Sequence, residues 1–289
     1  MQALFDPSGT LYSRDNLTDD AIARFRQQVL SWYKRHGRHE MAWRHTTDPY
    51  QILISEIMLQ QTQVERVITK FPEFIGAFPD FPVLAAAPLP AILAVWQGMG
   101  YNRRAISLKK CAGQVMEDYG GCLPADPLKL TELPGIGPAT AASICAFAFN
   151  MPVVFVETNI RRVYIHFFFR NRERVADTEI LPLVERMLDR KNPRVWYWAL
   201  MDLGAVLKRT VPNPNRRSSH YTRQAPFEGS DRQLRGRILR LLIRRRQMQK
   251  EAIVREMPAD PGRSSRVIDA LVSEGFLEYE SDGLLVIKE

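Results

Sequence analysis

The sequence predicts a mainly α protein with a small α+β module at its C-terminal end, and three observations lead to that expectation. From residue 19 to about 205, apolar residues recur at steps of three and four, and Pro and Gly punctuate segments of helix length. Over residues 209–230 that periodicity fails and Pro212, Pro214, Pro226 and Gly229 dominate, as in a linker or an extended crossing segment. Beyond it, three helical patterns precede two strand-like pieces flanking Ser281-Asp282-Gly283, a hairpin turn by composition. A chain of 289 residues suits one large domain and one small appendage, which the composition divides at 1–228 and 229–289, with 209–228 as a basic loop.

The elements follow in order. Asp48-Pro49 is a start signal, Asp suited to capping and Pro to the first helical position, for a helix running from 51 to about 70. Glu56 falls two turns into it. Further helices are expected at 89–97, 103–119, 138–150, 159–169, 178–190 and 193–208. In the tail, helices at 234–243, 251–257 and 264–274 and strands at 276–279 and 284–287 make a winged-helix-like pattern, with Ser264-Ser265-Arg266 opening its recognition helix.

Lys and Arg number 40 against 32 Asp and Glu, a net charge of +8. This favours a polyanionic partner without separating DNA from RNA, a membrane surface or simple solubility. Cys111, Cys122 and Cys145 are widely spaced, so no disulfide framework, zinc site or iron–sulfur site is expected, and no other metal site. The most apolar stretch, 141–156, is interrupted by Asn150 and Pro152, and no basic-then-apolar leader opens the chain. No membrane span or signal peptide is expected, and a cytoplasmic monomer is.

Leu133-Pro134-Gly135-Ile136-Gly137 joins two helical patterns. Glycine admits positive φ and lets backbone approach a ligand, and the following helix offers unpaired N–H groups, so the turn is either a phosphate cradle or a corner whose glycines serve packing. Glu56 shares a helix face with Ile52, Leu53, Leu59, Gln60 and Gln63. Apolar flanks raise a carboxyl's pKa and suit a proton donor; the competing reading is a solvated surface Glu. Glu157 precedes Asn159 at a helix entrance, as a cap or as negative charge presented to a cleft. An acid and an anion together are the ingredients of glycosidic-bond cleavage.

Together these residues resemble the helix-hairpin-helix (HhH-GPD) DNA glycosylases, above all those of MutY type that act on adenine. The resemblance runs from about 20 to 228, through Asp48-Pro49-Tyr50, Ser55-Glu56-Ile57-Met58-Leu59-Gln60-Gln61-Thr62-Gln63, Trp96-Gln97-Gly98-Met99-Gly100-Tyr101, 133–140, 156–163 and Ala199-Leu200-Met201-Asp202-Leu203-Gly204-Ala205. It implies a two-lobed helical glycosylase domain. It also implies a double-stranded DNA partner with a mismatched or damaged base, and adenine flipped from its mispair with guanine or 8-oxoguanine. Glu56 and Glu157 are the implied catalytic pair, Glu56 protonating adenine at N7 and helping to activate water. The implied DNA contacts are Gln60, Gln61, Gln63, Tyr101, Leu133, Gly135, Ile136, Gly137, Ala139, Thr140, Asn159, Arg209, Arg216 and Arg217. Relatives with a lyase step carry Lys where Ala139 stands, so hydrolysis without strand cutting is expected.

Three departures stand out. Glu157 replaces the family's aspartate and is one methylene longer, which shifts a charge needing close placement. The four cysteines that hold a [4Fe-4S] cluster in the family fall here on Lys208, Asn215, Ser218 and Gln224, none a soft ligand, so no cluster and no other cofactor is expected. The loop stays basic through Lys208, Arg209, Arg216, Arg217 and Arg223, which suits phosphate contact. The tail differs from the domain that reads 8-oxoguanine, and its arginine-rich first helix suits a second DNA contact or a solvated face. Two other readings remain open: uracil or thymine opposite guanine as substrate, and a lesion-binding protein without catalysis.

Overall fold

The computed structural model describes residues 17–222 and 226–288. Arg223 and Gln224, singled out above, lie outside them. The described residues form α1 (Asp19–His36), α2 (Pro49–Leu59), α3 (Val64–Ala77), α4 (Phe81–Ala86), α5 (Leu89–Trp96), α6 (Arg103–Tyr119) and α7 (Pro127–Thr131). Then come α8 (Pro138–Phe149), α9 (Thr158–Phe168), α10 (Asp177–Met187) and α11 (Pro193–Thr210). The tail holds α12 (Asp231–Arg245), β1 (Gln247–Met248), α13 (Lys250–Glu256), α14 (Pro261–Ser273), β2 (Leu277–Tyr279) and β3 (Leu285–Ile287).

Three expectations are corrected. The helix expected over 51–70 is two helices: α2 stops at Leu59, Gln61 takes a left-handed φ of 54°, and α3 starts at Val64. The cause is a distant cation, described below, which local periodicity does not register. The helix expected to open at Ser264 starts earlier, at Pro261, because Asp260 caps it by accepting from the Arg263 N–H at 2.8 Å. Ser264 is instead fully buried on the inner face of α14. Finally, the sheet has three antiparallel strands in the order β1-β3-β2, with Gln247 and Glu278 both opposite Val286; the two-residue β1 is too short to register as a strand pattern. Among the described residues no helix is long and apolar enough to cross a membrane.

The chain divides into two compact units, each drawn from separated segments. One comprises Met1–Ile52, Ala125–Leu128 and Gly137–Arg223, the other Leu53–Pro124, Lys129–Ile136 and Gln224–Glu289. In the first, α1 and α8 to α11 enclose Phe25, Phe147, Tyr164, Trp196 and Tyr197. The Phe25 ring meets Phe167, Phe168 and Trp196 edge-on, with centroids 5.3 to 6.3 Å apart. Helices α9 and α11 approach closely at Gly204, where an added Cβ would stand 2.7 Å from Asn159 Cβ. In the second unit α3 to α6 bury Phe74, Trp96, Leu108 and Cys111, while α12, α14 and the sheet bury Ile238, Leu271, Phe276 and Leu285.

The first unit also buries a charge cluster. Asp202, 1% exposed on α11, accepts from Arg44 Nη1 and Nη2 at 2.7 and 2.8 Å, and from the Arg38 N–H and Nε at 2.8 Å each. Burial alone would raise its pKa, but the hydrogen bonds and charge of Arg44, with Arg38 behind it, outweigh burial and hold the carboxyl below its ordinary value. A depressed folded pKa makes the stabilisation complete above the unfolded value and lost as pH falls through the folded one. Asp202→Asn should therefore cost about 3–5 kcal/mol by leaving the Arg44 cation buried without its counter-charge. Urea melts between pH 7 and 3 should also show a shallower acid decline in the variant than in the parent.

Candidate active site

Glu56 is positioned by a helix that starts as its sequence dictates. The Tyr50 N–H donates to Asp48 Oδ1 at 3.0 Å, satisfying an orphan donor of the first turn, and the Ile52 N–H makes the first intrahelical bond to Asp48 O at 3.0 Å. Ile52, Leu53, Ile54, Ser55, Ile57 and Met58 are all buried, and Glu56 is half-buried among them.

What ends the helix is Arg104. Its guanidinium, in a residue only 8% exposed, donates from Nη1 to the carbonyls of Ile57 (2.8 Å), Met58 (2.8 Å) and Gln60 (2.7 Å). From Nη2 it reaches Thr62 Oγ1 (2.9 Å), Met99 O (3.2 Å) and Gly100 O (3.1 Å). These carbonyls are the unpaired acceptors of a helix C-terminus and of the loop before α6, so one cation satisfies both. Burial lowers its pKa to about 10, which leaves it charged at neutral pH. The ring of Trp96 lies 5.2 Å below the guanidinium, and the indole Nε1–H donates to Gly100 O at 3.1 Å.

Several expected DNA contacts come together around this anchor. Gln60 Nε2 donates to Gly135 O at 3.3 Å, joining the turn after α2 to the hairpin. Gln61 and Gln63 are exposed. Tyr101 has a left-handed φ of 46°, with Arg104 5.6 Å from its ring. Gln61 and Tyr101 are thus both held in a backbone region that side chains other than glycine seldom occupy.

In the hairpin, Leu133 and Ile136 are buried, and the Ile136 N–H donates to Leu133 O at 3.2 Å. Gly135 is required twice over: its φ is +84°, and a Cβ there would lie 2.7 Å from Ser107 Cβ. Gly137 is not, since its φ of −87° and ψ of 172° are ordinary extended backbone and a Cβ would meet nothing within 4 Å. It is the N-cap of α8 and brings no side chain to the cap, and Gly137, Pro138 and Ala139 are exposed while Thr140 is half-buried.

Glu157 belongs to the first unit and caps α9. Its Oε1 accepts from the N–H groups of Asn159 (2.7 Å) and Ile160 (2.8 Å), and Oε2 from Asn159 Nδ2 (3.3 Å). Burial pushes its pKa above the ordinary glutamate value, and the two N–H donors, Arg162 and Arg161 offset only part of that. Arg162 links Asn159 Oδ1 (2.7 Å), Gly204 O (2.7 Å) and Asn213 Oδ1 (3.1 Å), fixing the entrance of α9 to α11 and to the loop beyond.

That loop does not fit a thiolate-held cluster. Lys208 is exposed, the buried Asn215 donates through Nδ2 to Thr158 O at 2.9 Å, and Ser218 Oγ accepts from the His220 N–H at 3.1 Å. None offers a soft ligand. Arg217, expected to face phosphate, turns inward: Nη1 donates to the carbonyls of Phe169 and Arg170, and Nη2 to Ile165 O at 3.2 Å. Arg209 and Arg216 are exposed. A parallel bridge between Val175 and Ser218 closes the loop against the segment before α10.

Sequence reasoning missed Arg104, Arg162 and the partners of Asp202. The available signal was an acid, Asp202, inside the apolar run 199–205; the two arginines carry none, since each sits near the start of a helix beside a second arginine.

The fold and these residues define a class: residues 54–184 match the HhH-GPD superfamily of base excision DNA repair proteins. An adenine DNA glycosylase of Mycolicibacterium smegmatis is 33% identical over 281 residues, covering 89% of this chain and 93% of that protein. Another, of Buchnera aphidicola subsp. Baizongia pistaciae, is 35% identical over 184 residues, covering 63% of this chain and 52% of its own, so the chain spans about half of that relative's length. The chain belongs to the adenine DNA glycosylase family. Among solved structures, a thermostable thymine-DNA glycosylase is similar with a TM-score of 0.57 and 28% identity, over 64% of this chain and 86% of that one.

Arg104→Met should cost several kcal/mol, because buried carbonyls lose their donors together. Amide exchange should then show the 57–62 and 99–101 segments opening at free energies well below that of α6, whereas Arg104→Lys should leave a smaller defect.

Proposed function

We propose that this chain is a DNA glycosylase that hydrolyses the N-glycosidic bond of an adenine mispaired with guanine or 8-oxoguanine, without cutting the strand. The observation that carries it is the setting of Glu56. It is a half-buried carboxyl on a helix whose end holds Gln60 to the hairpin, in a chain similar over 281 residues to an adenine DNA glycosylase. In this reading the base leaves the stack, Glu56 protonates it at N7 and the glycosidic bond breaks towards an oxocarbenium-like state. Glu157 supplies the stabilising anion and water completes the hydrolysis. The exposed first turn of α8 takes a backbone phosphate. Ala139 has no amine for a Schiff base, which favours a free abasic product. The likeness to a thymine-DNA glycosylase supports a second reading, in which the base released is thymine or uracil opposite guanine.

Single-turnover assays on A:G, A:8-oxoguanine, T:G and U:G duplexes separate the readings. Adenine release that Glu56→Gln abolishes, with breakage of the strand only after alkali, is the expected result. Release of thymine or uracil alone would install the second reading, and tight binding with no release from any duplex would reduce the chain to a lesion binder.

The pH profile gives an independent check. The Glu157 anion is lost as pH falls through its pKa, which burial has raised, so the acid limb should lie above the ordinary glutamate range. Glu157→Asp should retain activity, and Glu157→Gln should lose it across the whole profile.

A further inference from the structure

The tail meets the helical body within the second unit, where α12 packs against α5. Polar contacts from the tail then reach one short stretch, the loop carrying Tyr101 and the first turn of α6. Glu274, just past the end of α14, accepts from Arg103 Nε of α6 at 2.9 Å and from both terminal nitrogens of Arg235 of α12. One half-buried carboxylate therefore joins three helices, and such a network holds better than an isolated surface pair. Beside it, a cavity of about 280 Å³ is lined by Ser107 of α6 and Pro134 together with Glu274, so the tail also borders the hairpin.

Arg232 of α12 reaches Tyr101 itself. Its guanidinium lies 5.2 Å from the ring centre and donates to the hydroxyl, and it also lies 5.7 Å from the ring centre of Phe227. A residue at a φ of 46° keeps that backbone only where its surroundings over-determine it. Arg104 holds the main chain just before Tyr101 through the carbonyls of Met99 and Gly100, and Arg232 holds the phenol. The body of the protein supplies the first restraint and the tail supplies the second, from a residue 131 positions further along the chain.

We propose that the tail braces the loop before α6, with Arg232 as a positioning residue that sets the Tyr101 side chain and Glu274 as the residue that seats the tail on α6. Both act through protein partners, and neither has to touch DNA. This rests on the reading of the chain as a DNA glycosylase, in which base release requires that loop to be in place. The tail then serves the reaction from behind the loop, as part of the scaffold of the site.

The test uses the full chain. The Arg104 and Ala105 amides donate to Tyr101 O and Asn102 O at 3.0 Å each, and their hydrogen exchange in the free protein reports the loop. Arg232→Met should speed that exchange about tenfold, as expected for a lost charged hydrogen bond with its ring contact, and Glu274→Gln should speed it too. The single-turnover rate of base release from an A:G duplex should fall about tenfold in Arg232→Met, and Arg232→Lys, which keeps a cation and a donor, should recover most of it. In a Tyr101→Leu background Arg232→Met should bring no further loss of rate. With Glu56→Gln keeping the duplex intact, Arg232→Met should leave the slope of log affinity against log salt unchanged, whereas a lost phosphate contact would reduce it by about one. Unchanged exchange in Arg232→Met, a reduced salt slope, or an equal fall in rate in the Tyr101→Leu background overturns the proposal. Faster exchange in Arg232→Met, in a protein whose parent releases no base, would uphold the brace and sink the glycosylase reading; base release by the parent with exchange and rate unaltered in Arg232→Met would do the reverse.

Discussion

The guanidinium of Arg104 terminates α2 and holds the loop before α6 with the same set of donors. A cation removed from water is costly, and main-chain carbonyls offset that cost here because both segments leave acceptors that have no partner of their own. The turn after α2 and the Tyr101 loop cannot loosen independently: freeing either strands part of one buried charge. Glu56 directly precedes the anchored carbonyls of Ile57 and Met58, and Gln60 and Gln61 stand at or just past the last of them, so the placement of all three depends on Arg104.

The first unit solves a similar problem by similar means. Arg162 ties the entrance of α9 to α11 and to the loop after it, Arg217 fills a ring of carbonyls at the end of α9, and Asn215 bonds to Thr158 beside Glu157. The loop after α11 is closed by amides and guanidinium groups. Such contacts are individually weak and depend on geometry, unlike bonds to a metal, so their worth lies in acting together. Their sum fixes where α9 begins, and therefore where Glu157 points.

How much of this was legible in the sequence follows from the range of each interaction. Helix α6 was legible from end to end because its limits are local, a helix-favouring run stopped by Gly120 and Gly121. The cap at Glu157 and the start of α2 were legible for the same reason. The break after Leu59 was not, because the residue responsible lies more than forty positions away. Asp202 is an acid in an apolar run, a signal the sequence carries, yet its partners Arg38 and Arg44 lie over 150 residues off. Phosphate contact was expected of Arg217 from the resemblance and the basic loop; the structure turns it inward, where it donates to carbonyls around the end of α9. At Gly137 the motif was legible while its presumed reason was not, since the backbone there is ordinary.

Gln61 and Tyr101 sit in left-handed backbone at φ values of 54° and 46°. Folding has already imposed that geometry on them, at a cost of roughly 1–3 kcal/mol each. On the proposed reading as a DNA glycosylase, an arriving duplex would meet two positions whose backbone freedom was surrendered beforehand, which leaves most of the remaining ordering to the duplex itself.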